Sequence, residues 1–177
     1  MTEFSERLLA NAGRKGKAAR LRPLGFILTP LVAILFQAYV TRFFPYLNYL
    51  QFPLLLTIHF ALMRREPLSA LFYGAAIGLA EDSLSTDPLG MYGIVKTLVG
   101  YFAASVSMRF EVDNPFLTVI LAFFFFCFHQ FFHWVLSRAL LGLTIGFDYQ
   151  QMLMFGLLNA VVALPLFRIL DKLKAAA

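Results

Sequence analysis

Six predominantly apolar stretches divide this chain, and they restrict it more than any motif does. They run from about Leu24 to Thr41, Leu47 to Met63, Leu68 to Asp82, Gly90 to Met108, Phe116 to Ser137 and Tyr149 to Phe167. A membrane helix needs about 20 such residues, and most of these stretches approach that length. The joints between them carry breakers or charges: Arg42 to Pro45, Arg64-Arg65-Glu66-Pro67, Asp87-Pro88, Arg109 to Pro115, and Gly142 to Asp148. Composition agrees. Of the 177 residues 60% are hydrophobic and only 14% charged, too few charges to cover the surface of a soluble domain of this size. The expected class is an all-α, polytopic membrane protein, a bundle of six transmembrane helices. The expected organisation is a basic tail over residues 1–22, a transmembrane domain over 23–170 and a short tail over 171–177. The connections are too short for a further domain.

The basic residues orient such a bundle. With a cytoplasmic N-terminus, inside segments hold Arg7, Arg14, Lys15, Lys17, Arg20, Arg22, Arg64, Arg65, Arg109, Arg168, Lys172 and Lys174, and outside segments hold Arg42 and Arg138. Twelve against two is a strong positive-inside bias. It predicts both termini in the cytoplasm. The net charge of +5 follows from this placement and implies no nucleic acid. The basic tail reads as a topology determinant, with anionic lipid as its other possible partner. Cys127, the only cysteine, lies in an apolar run and reads as a packing residue.

Polar residues inside the spans carry the remaining information. Glu81 and Asp82 close the third stretch, and Lys96 sits in the fourth, roughly 9 Å along the helix from Gly90 at 1.5 Å per residue. The two stretches form an antiparallel hairpin, so Asp82 is the expected partner of Lys96. Such a pair lowers the cost of an intramembrane lysine. It reads as a pin for the hairpin; an ion relay would need more polar groups along a path. Gly74 and Gly78 make a small-xxx-small pattern, and Gly93 and Gly100 share a helix face. Both read as packing features within the bundle. His129 and His133 are four apart and share a face of the fifth stretch, the spacing of a helical metal pair. His59 should lie at the opposite end and only Glu81 or Asp82 at the right depth, so two hydrogen-bonded histidines facing the bundle, or one reaching the interface beside Trp134, are expected instead of a metal centre. The phenylalanines from Phe123 to Phe132 cover the fifth helix. Asn159, near the middle of the sixth, needs an amide partner. Pro53 and Pro165 either kink their helices or, for Pro53, begin one. No Walker loop, nucleophile elbow or zincin motif occurs. Neither a catalytic site nor a cofactor is expected.

Gly74, Gly78, Asp82, Leu89-Gly90 and Gly100-Tyr101 together spell G-x-x-x-G-x-x-x-D, then L-G, then a span closing G-Y. This pattern resembles the MreD family of rod shape-determining membrane proteins. Gln51-Phe52-Pro53 is similar to the family's second span, and Met154 to Asn159, continuing through Pro165 to Arg168, to its last. Glu81 departs from the pattern, where the family has an apolar residue, and the basic tail is longer than usual. The resemblance implies a non-enzymatic scaffold of the bacterial cell-elongation machinery in the cytoplasmic membrane. It would bind MreC, and through it MreB, and support RodA and its penicillin-binding transpeptidase in lateral peptidoglycan synthesis. It further implies a fold similar to the substrate-binding S-components of energy-coupling-factor vitamin transporters. That similarity supplies the alternative reading, capture of a small molecule from outside. For it the level of Asp82, Lys96, His129 and His133 is the candidate pocket, with Glu81 beside it.

Overall fold

The structure is a computed structural model describing residues 23–44, 47, 49–85, 88–110, 112, 114–144 and 146–175. The basic tail before Pro23, with Pro45 and Asp87, lies outside the described residues. Among these residues the chain is all-helical, without strands: α1 (Pro23–Phe43), α2 (Phe52–Arg64), α3 (Pro67–Asp82), α4 (Met91–Ser107), α5 (Pro115–Leu141) and α6 (Tyr149–Ala175). The joints α1–α2, α3–α4 and α5–α6 meet at one end of the bundle, called the upper end below.

Local chemistry sets the boundaries. Proline opens α2, α3 and α5, where its missing N–H costs nothing and its fixed φ suits the first turn. Asn114 caps α5 by accepting from the N–H of Phe116 at 2.9 Å. Gly142 ends α5 at φ 64°, a left-handed conformation that glycine adopts without Cβ strain. Arg65 ends α2 in the same region at φ 54°.

Helix α2 runs through the middle. Leu54, Leu55, Ile58 and Ala61 are fully buried and share a core with Val99 and Ala103 of α4, Phe125 of α5 and Ala163 of α6. A smaller cluster, Ile34, Phe60, Tyr73 and Ile77, ties α1 to α2 and α3. Phe60 stacks on Tyr73 there at 3.9 Å between ring centroids.

Among the described residues two helices are long and apolar enough to cross a membrane, Pro115–Leu141 and Tyr149–Lys172. Only 28% and 33% of their most apolar windows are buried inside the bundle, so most of that apolar surface faces outward, as lipid contact requires. The helices α2, α3 and α4 have 13, 16 and 17 residues. At 1.5 Å per residue they span roughly 20–26 Å, less than the ~30 Å of a hydrocarbon core. The second stretch is therefore shorter than its apolar length suggests. Leu47 belongs to an isolated turn that donates to Phe44 at 3.0 Å, and regular helix begins only around Pro53, which starts α2 without kinking it. At the other extreme, α6 continues beyond Phe167 through Ala175, with Pro165 inside it. Residues 171–175, expected as tail, are its last helical turn.

Candidate functional site

The α3–α4 hairpin is held by backbone contact. A Cβ on Gly78 would lie 2.6 Å from the Cα of Gly93, and one on Gly74 would overlap the carbonyl of Lys96. From the other side, a Cβ on Gly100 would overlap the carbonyl of Ala70. The four glycines are thus consumed inside the bundle, where close approach replaces the hydrophobic drive that lipid removes.

At the top of this hairpin the two acids divide their work. Asp82, 1% exposed, accepts three backbone N–H groups: Gly90 at 3.0 Å, Tyr92 at 3.0 Å and Gly93 at 2.9 Å. These are donors that the first turn of α4 cannot satisfy internally, at the positive end of its dipole. Gly90, at φ 99°, turns the chain so that its own N–H and those of Tyr92 and Gly93 converge on one carboxylate. A side chain there would strain the turn.

Lys96 is completely buried and bonds Glu81, not Asp82. The expected Asp82–Lys96 pair is corrected on this point. Asp82 is saturated by α4's own backbone, and its neighbour, about 100° round the helix at 3.6 residues per turn, meets the ammonium. The Lys96 Nζ also lies 4.5 Å from the centroid of the Tyr92 ring, a cation–π contact that further offsets its desolvation.

The Tyr92 ring carries the cluster onward. Its other neighbours are His133, stacked at 4.9 Å, and His129, at 6.0 Å. The Nδ1 of His129 lies 3.3 Å from Gln130 Oε1, which also accepts from Gln51 Nε2 at 3.5 Å. Tyr92 thus lies between the histidine pair and Lys96, and the two imidazoles are stacked with centroids 6.2 Å apart. Among the described residues no three His, Cys, Asp or Glu side chains gather where they could hold a metal ion. His59 sits at the far end of the bundle, its Nε2 3.5 Å from Asp171 Oδ1.

Asn159, fully buried, finds its partners in the α1–α2 joint. Its Oδ1 accepts from the N–H of Gln51 at 2.9 Å, and its Nδ2 donates to the carbonyls of Tyr49 at 2.7 Å and Phe155 at 2.9 Å. One amide thus fastens the entry of α2 to α6. Leu89 and Tyr101 lie outside this network. Leu89 projects from the turn, 78% exposed, and Tyr101 is 43% exposed against Phe102.

Beside the network, between the upper ends of α5 and α6, lies a cavity of about 350 Å³. Gln51, Gln130, His133, Asp148 and Gln151 supply its polar wall, and Tyr49, Trp134, Phe147 and Phe155 line the rest with rings. Sequence reasoning located the histidines but missed Tyr92 and Gln130, and took Gln51 only as part of the Gln51-Phe52-Pro53 family pattern. Gln130 beside His129, inside a phenylalanine run, was the available signal: an amide is as costly there as an imidazole.

The family model described as rod shape-determining protein MreD matches residues 19–174. It spans all six helices and every residue of the network. No curated protein and no solved structure matches the chain. The match covers nearly the whole length, and the chain belongs to this family, whose proteins determine cell shape and associate with the membrane.

Proposed function

From this membership we propose that the protein is a non-enzymatic scaffold of bacterial cell elongation, multi-pass in the cytoplasmic membrane with both termini cytoplasmic, that binds the transmembrane and juxtamembrane region of MreC. The family match carries the reading. MreB would be reached through MreC. RodA and its transpeptidase would be supported by the same complex during lateral wall synthesis.

Two observations refine the mechanism. The glycines that could have received a partner helix are buried against each other's helices, so recognition falls to large apolar side chains. The outward faces offer many: Leu31, Phe36 and Tyr39 on α1, and Leu153, Leu157 and Val161 on α6 are all exposed. The short helices α2 to α4 suit a bundle whose longest members, α5 and α6, set its depth in the bilayer, with the others capped by polar joints.

Affinity purification of the tagged protein from detergent extracts is expected to bring MreC with it, and depletion is expected to convert rods into spheres. Unchanged cell shape on depletion, with no MreC in the eluate, would sink the proposal. The alternative, an S-component capturing a vitamin-like solute, has the α5–α6 cavity in its favour. It requires association with a pair of ATPases, and co-purification of those in place of MreC would select it.

A further inference from the structure

We propose that the cavity between the upper ends of α5 and α6 binds a neutral, polyhydroxylated ring, that is, a sugar. At about 350 Å³ it falls within the size range of small-molecule sites, about 300–1,000 Å³. Its wall chemistry selects the ligand class.

Three carboxamides reach it from three separate elements: Gln51 from the α1–α2 joint, Gln130 from α5 and Gln151 from α6. A carboxamide presents two donors and an acceptor side by side, the complement of a hydroxyl, which gives and takes one bond each. The Oε1 of Gln51 is buried and has no hydrogen-bond partner among the described residues, while its Nε2 is engaged with Gln130. A buried acceptor of this kind is costly without a donor facing it. Gln51 lines the cavity, so a ligand O–H or N–H there can supply that donor once the amide turns toward it.

The rest of the wall is flat and apolar. Tyr49 stacks on Phe155 at 4.0 Å and 14°, and Trp134 leans on Phe147 at 5.1 Å. Ring faces beside amides suit a ligand with hydroxyls on its edge and C–H groups on its face.

Charge excludes the competing classes. Among the described residues no lysine or arginine lines the cavity, which argues against phosphate and phosphorylated sugars. Arg138, the nearest guanidinium on α5, lies over the Trp134 ring at 5.3 Å. The one acidic side chain that the described residues place in the wall, Asp148, already accepts from the N–H of Gln151 at 3.0 Å, and the aromatic rings pair with one another instead of caging a cation. An acyl chain would leave the three amides facing hydrocarbon.

Trp134 is the only tryptophan of the chain, so its emission reports on this cavity alone. The full-length protein, purified in a polyoxyethylene detergent that carries no sugar headgroup, is titrated with cellobiose and with N,N′-diacetylchitobiose. A saturable change in Trp134 emission is expected with at least one of them. Gln51→Ala removes only the side-chain amide and keeps the backbone N–H that Asn159 holds, and should raise the midpoint about tenfold, the effect of one lost hydrogen bond to a ligand. Gln151→Ala, at an exposed position, should raise it severalfold with the melting temperature unchanged, and serves alone if Gln51→Ala does not fold. No saturable response to either disaccharide, midpoints unmoved in the folded variants, or a response to inorganic phosphate, tetramethylammonium or short-chain phosphatidylglycerol in place of the sugars overturns the proposal. MreC co-purification is a separate readout, so this site can fail while the scaffold reading stands.

Discussion

The α3–α4 and α5–α6 hairpins join neighbouring antiparallel helices by opposite means. In α3–α4 the backbones touch: glycine meets carbonyl on both sides, and the turn is closed by one carboxylate on three N–H groups. In α5–α6 side chains hold the helices apart. At Gly156 of α6 an added Cβ would meet only the rings of Phe123 and Phe126 among its nearest atoms. Backbone contact leaves no room for a ligand. Ring-mediated contact leaves gaps wherever the rings run out, and at the upper end they run out into the cavity. The first hairpin is built for fixed geometry and the second for surface, inward to the cavity and outward to lipid or a partner.

Substitutions can test this contrast. The largest effect is expected at Gly78. Leucine there must displace the backbone of α4, so Gly78→Leu should remove folded protein from the membrane, a cost at or beyond the top of the ~1–3 kcal/mol range for overpacking. Gly156→Ala, in the second hairpin, should leave abundance near wild type because rings can shift. Equal loss in both would erase the distinction.

Next come the acids. Glu81→Ala leaves Lys96 buried without its carboxylate, a loss of about 3–5 kcal/mol for a broken buried pair. Adding Lys96→Met should restore much of the abundance. Asp82→Ala strips acceptors from three N–H groups, at a cost on the order of 3 kcal/mol, and Lys96→Met should not rescue it. Rescue of Asp82→Ala by Lys96→Met would return the pairing to Asp82.

Phe125 and Phe124 give a comparison within α5. Phe125→Ala opens the core and should cost about 3–5 kcal/mol in detergent melting. Phe124, 54% exposed, should lose little on truncation, within about 0.5 kcal/mol. The smallest effect on stability among the buried positions is expected for Asn159→Ala. Intramembrane polar contacts average about 0.6 kcal/mol each, so a drop of roughly 1–2 kcal/mol should appear, with faster proteolysis of the α1–α2 joint as the local sign.

Much of this arrangement was legible beforehand. Apolar runs and their breakers placed six helices, because prolines and charges gather at the joints, as in Arg64 to Pro67 and Arg109 to Pro115. Gly74 and Gly78 announced close packing, because a residue without Cβ in an apolar helix has little other use. The helix ends were less legible. Leu47 and Tyr49 are apolar enough to extend α2, and only the missing N–H of Pro53 and the hold of Asn159 on the joint decide that they do not. Gln130 and Tyr92 escaped notice, and Gln51 counted only toward the family pattern, because each is ordinary until Lys96, His129 and Asn159 are set beside it.

The sequence by itself determined the helical class, the hairpin, the family and the need for a carboxylate opposite Lys96. Only the tertiary structure decided which carboxylate. Glu81 and Asp82 are adjacent, equally charged and equally near in sequence. Their side chains leave the helix about 100° apart, so the direction of the returning helix decides between them. That direction is set by the left-handed turn at Gly90, which brings three N–H groups of α4 onto Asp82 and leaves Glu81 for the lysine.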